Sequence, residues 1–173
     1  MAIHEVYRTP SGLSAELRAN LRAEGNCVLG TVNDDGSPHL TELLYMLDDR
    51  DRPLLPTPRS TRKFRNLQAR PVATFFVSFE KASGWVSCTG PVELVGGEEA
   101  QRLNQSIRDH LLTESGHATI GKLLASHEDT TIIINPQRWL SWNGSGLVER
   151  IVELGGDVEA HPPATWFRDV AGE

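Results

Sequence analysis

The stretch Cys27–Leu47, reading CVLGTVNDDGSPHLTELLYML, constrains the fold most, because two β-rich runs flank a turn that can close them only as antiparallel neighbours. Cys27–Val32 reads as one strand, Asn33-Asp34-Asp35-Gly36 as the turn and Ser37–Leu47 as the returning strand. Asp35-Gly36 is expected to supply the positive φ angles of such a turn.

The same pattern recurs along the chain. Val72–Phe79 and Gly84–Val95 read as an antiparallel pair around Glu80–Ser83, and Thr130–Ile134 and Arg138–Asn143 as strands separated at Asn135-Pro136. Pro53–Thr57 is a short strand after a charged turn, Asp48–Arg52. Its Pro56, with Pro58 just beyond, cannot donate ladder hydrogen bonds, so the strand must end there or lie at an edge. A last β segment is expected at Leu147–Leu154. Helices enter singly: Ser14 caps one running to Glu24 with Leu13, Leu17 and Leu21 on one stripe, Glu98–Leu112 repeats the pattern through Leu103, Ile107 and Leu111, and Ala118–Ala125 is a short third. Residues 1–11 read as a loose arm. Residues 155–173 are polar, with Trp166 and Phe167 able to dock the tail on the body or on a neighbour. Many short strands on tight turns, with helices that do not alternate regularly with them, predict a small antiparallel β-barrel carrying helices. At 173 residues this is one domain, whose exposed faces a partner subunit can cover.

Leu54–Leu67, LLPTPRSTRKFRNL, joins a strand to a basic, hydroxyl-rich turn that opens a helix. Thr57, Ser60 and Thr61 offer hydroxyls, Arg62 and Lys63 offer charge, and a helix starting near Thr61 aims its first N–H groups and positive dipole end at the same place. Ser60 or Thr61 is the cap, and Pro71 ends the helix. This is an anion cradle suited to a phosphate; a capped surface helix with several arginines is the competing reading. It contains no glycine, so it is neither a Walker loop nor a dinucleotide fingerprint.

The surroundings of the cradle are acidic. A net charge of −6 and a pI near 5.5 argue against nucleic acid or anionic membrane as partner, so Arg59, Arg62, Lys63 and Arg65 stand out as a local basic group for a small ligand. No apolar run approaches the roughly 20 residues of a membrane span, and the start MAIHEVYRTP lacks a signal-peptide core, which predicts a cytoplasmic protein. Cys27 and Cys88 read as buried thiols. The histidines at 4, 39, 110, 117, 127 and 161 show no metal-ligand spacing, so no metal is expected.

Four segments in order, CVLGTVNDDGSPHLTELLYML, LLPTPRSTRKFRNLQARPVATFFV, GWVSCTGPVELV and TTIIINPQRWLSW, resemble the pyridoxamine 5′-phosphate oxidase-like split β-barrel superfamily, especially its flavin- and deazaflavin-dependent oxidoreductases. The resemblance implies a homodimer with FMN or coenzyme F-420 in grooves between the subunits. It divides the chain into a barrel over residues 1–143 and an extension over 144–173 that packs on the body or the partner. It places the cofactor phosphate at Thr57, Ser60, Thr61, Arg62 and Lys63, and His39, Leu40 and Thr41 along the ring system. Trp85, Trp139 or Trp142 wall the pocket, against the alternative that they fill core or interface. The TPRSTRK cradle looks most like the deazaflavin branch, with FMN close behind. The chain departs from pyridoxamine phosphate oxidase itself in lacking a basic C-terminal segment, which puts that activity in doubt.

In such enzymes the cofactor carries the reactive atom, so the absence of a triad is expected. His39 is the candidate to hydrogen-bond the ring or hand a proton to substrate, set against an exposed histidine near a turn; Glu42 and Tyr45 are lesser candidates. The implied function is hydride transfer between reduced F-420 or FMN and a small conjugated substrate, an activated C=C or C=N bond. The alternatives are a non-enzymatic FMN- or haem-binding protein on the same fold and a structural homodimer without ligand.

Overall fold

Strands β1 (His4–Arg8), β2 (Asn26–Val32) and β3 (Pro38–Leu44) open the sheet in the computed structural model, which describes residues 4–8, 12–79, 84–127 and 129–162. The β2–β3 hairpin forms in the expected register, from Asn26 opposite Leu44 to Val32 opposite Pro38. Its turn is closed by the Asn33 N–H on the Ser37 carbonyl and the Gly36 N–H on the Asn33 carbonyl, both 2.9 Å. Gly36 has φ +84°, but Asp35 keeps an ordinary negative φ, contrary to expectation. The loop is an ordinary turn followed by one left-handed residue, and the Asp35 carboxylate holds it by accepting the Ser37 N–H and hydroxyl at 2.9 and 2.6 Å.

The returning strand is not continuous to Leu47. It breaks at Tyr45, after which β4 (Met46–Leu47) leaves β2 and pairs with β5 (Pro53–Thr57). The Tyr45 ring is 1% exposed, its N–H reaches the Gly25 carbonyl at 3.0 Å and its hydroxyl donates to the Leu21 carbonyl. A side chain so fully committed is a pivot that carries the chain from one end of the sheet to the other. Between those ends the order is β3-β2-β6-β7-β8-β5-β4, with β6 (Val72–Ser78), β7 (Gly84–Gly96) and β8 (Thr130–Ile134) antiparallel to their neighbours. The result is a curled antiparallel sheet of the split-barrel kind. Pro56 sits opposite Thr131 beyond the two-residue reach of β4, so its missing N–H faces no strand, as an edge position requires.

β7 serves two neighbours in succession: β9 (Arg138–Asn143) along Gly84–Thr89, then β8 along Val92–Gly96. The expected loose arm is instead β1, paired along the other edge of β9 from His4 opposite Trp142 to Arg8 opposite Arg138. An edge ladder satisfies backbone groups that composition alone leaves unaccounted for.

Phe75 centres the core, edge-on to Tyr45 at 4.8 Å and to Trp139 at 6.3 Å, with Leu29, Val86, Cys88, Ile132 and Ile134 around it. Cys27 and Cys88 are buried free thiols, as expected, and burial pushes both well above the ordinary thiol range. Helix α1 (Ala15–Ala23), capped by Ser14, contributes Leu21 to the core. Helix α2 (Arg62–Ala69) follows β5, and α3 (Gly97–Leu111) packs Ala100 and Ile107 on Leu54, Val95 and Ile133. Residues 114–127 are helical throughout: α4 (Glu114–Gly116), a π-helical turn (His117–Gly121) and α5 (Lys122–His127). The β segment expected at Leu147–Leu154 is helix α6 (Gly144–Glu153), because Leu147, Val148, Ile151 and Val152 recur at helical spacing. The Glu80–Ser83 turn and the Trp166–Phe167 docking site lie outside the described residues.

Where β7 changes neighbour, the chain crosses the β8–β9 connection closely. A Cβ on Gly90 would lie 2.0 Å from the Asn135 carbonyl oxygen, while flanking bonds at 2.9 Å (Asn135 N–H to Pro91) and 3.1 Å (Gln137 N–H to Thr89) hold that backbone in place. Gly90→Ala is therefore expected to destabilise the fold by about 1–3 kcal/mol, as overpacking does. A thermal midpoint within error of the parent's would contradict the close approach.

Candidate functional site

Pro56 and Pro58 end β5 and turn the chain onto Thr61, the N-cap of α2. The Thr61 hydroxyl donates to the Pro58 carbonyl at 2.8 Å and accepts the Phe64 N–H at 3.4 Å. The Thr57 hydroxyl lies 3.3 Å from it and is fully buried, so Thr57 backs the cap from below. What the turn presents outward is the exposed Ser60 and the opening turn of α2, with its positive dipole end.

Lys63 is 8% exposed, yet no hydrogen bond or ion pair holds its ammonium among the described residues. Burial lowers its pKa below the ordinary lysine value. The Lys63 stem is packed and its ammonium is partly desolvated without a counter-charge among the described residues, a cost that an arriving anion would offset. The donors fit a phosphate ester: an ammonium, a hydroxyl and a helix N-terminus.

Arg62 and Arg65 lie on the exposed side of α2, across a cleft of about 320 Å³ from Asn33, Asp34 and Asp35 of the hairpin. The Asp35 carboxyl is held below its usual range, first by the Ser37 hydroxyl and more weakly by Arg62. Arg62 and Lys63 thus face different surroundings: one looks at carboxylates, the other pairs with none among the described residues. Asn66, missed by the sequence reading, is 5% exposed and donates to Thr31 Oγ1 at 3.0 Å and Asn33 Oδ1 at 3.1 Å, fastening α2 to the hairpin. Its only signal was an amide beside Phe64 and Leu67 on the apolar side of the helix.

On β3 the residues expected along a ring system divide between two faces, as strand alternation demands. His39 and Thr41 stand opposite Thr31 and Leu29, on the side of the core. Leu40, opposite Gly30, is 67% exposed on the outer side. Thr41 Oγ1 is buried with no hydrogen-bond partner among the described residues. Trp85 and Trp142 are register partners, both half-buried, and Trp85 contacts Phe76 at 5.7 Å. Trp139 is 3% exposed and packs on Phe75, so it belongs to the core and not to a pocket wall. Glu42 is exposed, beside a second cleft of about 280 Å³ that Glu24, Cys27 and Phe76 also line. Tyr45, committed to Leu21, is unavailable for proton transfer.

Among the described residues no group of His, Cys, Asp or Glu is placed to hold a metal ion, and no helix is long and apolar enough to cross a membrane. Replacing the uncompensated ammonium by an apolar chain of similar length, Lys63→Met, is expected to raise the thermal midpoint of the cofactor-free protein at neutral pH. The native state releases the Lys63 proton before the unfolded chain does. The difference should therefore shrink as pH rises from the lowered pKa towards 10.5, and a midpoint that falls at neutral pH would contradict the unpaired charge.

A family profile described as pyridoxamine 5′-phosphate oxidase matches residues 13–143. No curated protein matches the sequence. Among solved structures, a conserved hypothetical protein from Mycobacterium tuberculosis is 24% identical with a TM-score of 0.63, over 79% of this chain and 88% of its own. A protein described as an F-420 reductase is 19% identical with a TM-score of 0.56, over 70% of this chain and 94% of its own. The haem storage protein of Vibrio cholerae is 15% identical with a TM-score of 0.57, over 76% of this chain and 95% of its own. At these identities the likeness is one of fold.

Proposed function

The chain belongs to the pyridoxamine 5′-phosphate oxidase family, and on that footing we propose that it is an oxidoreductase using coenzyme F-420 or FMN, which binds its phosphate at the start of α2. The observation that carries the reading is Lys63, whose partly desolvated ammonium has no counter-charge among the described residues and stands beside a helix N-terminus. When bound, the cofactor supplies hydride transfer to a small conjugated substrate. Lys63 and Ser60 hold the phosphate, Thr61 and Thr57 keep the helix start open towards it, and Arg62 lends a weaker charge already shared with Asp35. The Thr41 hydroxyl offers a hydrogen bond to the cofactor, and His39 on the same face is the residue to hand a proton to substrate.

Dimerisation completes the proposal. Leu40, Val72 and Val32 are 67%, 52% and 41% exposed on the outer face of the β3-β2-β6 sheet. A second copy would cover them and bring Trp85 and Trp142 of one protomer towards the groove of the other. Sedimentation of the purified protein is expected to give a dimer; a monomer would remove this part of the proposal. A flavin or haem carrier on the same barrel is the competing reading, supported by the fold likeness to the haem storage protein.

Fluorescence titration with F-420 and FMN tests the site. Lys63→Ala should weaken the bound cofactor by roughly ten- to a hundredfold, the worth of a charge-assisted bond of about 1.5–3 kcal/mol, and Arg62→Ala by less. Because burial lowers the Lys63 pKa, parent affinity should begin to fall below pH 10.5, while Lys63→Arg holds it there. Equal affinity in parent and Lys63→Ala would refute the placement. Haem binding that is indifferent to Lys63, with no enone reduction by the loaded protein, would favour the carrier.

A further inference from the structure

The turn that carries Ser60 is fixed from outside itself. The Arg59 backbone N–H donates to Asp129 Oδ1 at 2.8 Å, and the Arg59 Nε donates to Thr130 Oγ1 at 3.1 Å. The Thr130 hydroxyl lies 3.4 Å from the same Asp129 oxygen, closing a small ring of polar contacts. The guanidinium then passes over Gly96, where a Cβ would lie 2.0 Å from its terminal nitrogen. Gly96 is the register partner of Thr130, so Arg59 laces the turn to the place where β7 ends and β8 begins. Arg59 looks in sequence like one of four cations offered to an anion. In the fold its Nε and its backbone are already engaged.

We propose that Asp129 is a positioning residue for the phosphate-binding turn, acting as a hydrogen-bond acceptor for the Arg59 N–H, and that Arg59 is a tie to β8 and not an anion ligand. This rests on the phosphate reading of the cradle. The proposal has a sign that charge alone would not give. Asp129 is a carboxylate near an anion site, so on Coulombic grounds its removal should strengthen phosphate binding. If it positions the turn, its removal weakens binding because the donors of Ser60 and α2 lose their alignment.

The test is a preference ratio, measured with FMN against riboflavin and with F-420 against its phosphate-free deazariboflavin precursor. The FMN ratio isolates contacts to the phosphate, the F-420 ratio reports the whole anionic tail with its lactyl and glutamyl groups, and both are blind to general loss of folded protein. Asp129 is exposed, so Asp129→Ala should fold with a parent-like thermal midpoint. Asp129→Ala is expected to lower the preference for the phosphorylated member by about tenfold, the scale of one displaced charge-assisted bond. Asp129→Asn keeps an acceptor oxygen without the charge and should retain the parent ratio. A ratio unchanged or raised in Asp129→Ala, or one that falls as far in Asp129→Asn, overturns the positioning role. A parent protein that does not prefer the phosphorylated members overturns the phosphate reading itself, a result distinguishable from either.

Discussion

A partly desolvated ammonium without a carboxylate partner costs free energy that no group among the described residues returns, and the arrangement around Lys63 is the setting for that cost. The charge stays in place because α2 is held on several sides. Thr61 caps it, Asn66 fastens it to the β2–β3 hairpin, and Phe64 and Leu67 bury its apolar side. β5 delivers the chain to this point and is itself paired to β8. The curled sheet thus supplies a rim against which the stem of one flexible cation is packed.

The two basic residues that begin α2 show how placement decides role. Arg62 faces the acidic hairpin and is partly answered by Asp35, whereas the Lys63 side chain, one residue on, is largely buried and is answered by nothing among the described residues. Strand alternation sorts β3 in the same way. His39 and Thr41 look to the inner side, and Leu40 joins the outer sheet face that carries Val72, Trp85 and Trp142. A cofactor held as proposed by α2 and Thr41 would meet that outer face only if another protomer presented it, which is the physical reason the proposal couples a dimer to the site.

Local chemistry was legible in the sequence wherever one residue type had one job. Gly36 marks the hairpin, Ser60 or Thr61 the helix cap, Pro56 a strand end or edge position, and the β-branched run Thr130–Ile134 a strand. Tertiary partners were not legible. Tyr45 interrupts a strand because its hydroxyl meets Leu21, 24 residues earlier in the chain, and β1 exists because β9 offers an edge. The sequence of α6 reads equally as a strand because a short run with Val and Ile fits either period. Within the site, the basic cluster was visible as composition, but the surroundings that distinguish Arg59, Arg62 and Lys63, namely Asp129, Asp35 and the lack of a partner among the described residues, appear only in the fold.

The central claim is that the Lys63 ammonium is an anion site left open by the protein. The most direct measurement is the titration of the Lys63 side chain, followed by NMR of its labelled ε-carbon, in the free protein and in protein saturated with F-420 or FMN. The account predicts a pKa below 10.5 when free and a clear rise on saturation, as a phosphate replaces lost solvation. A pKa that is unperturbed when free, or that does not move when the cofactor binds, would contradict it.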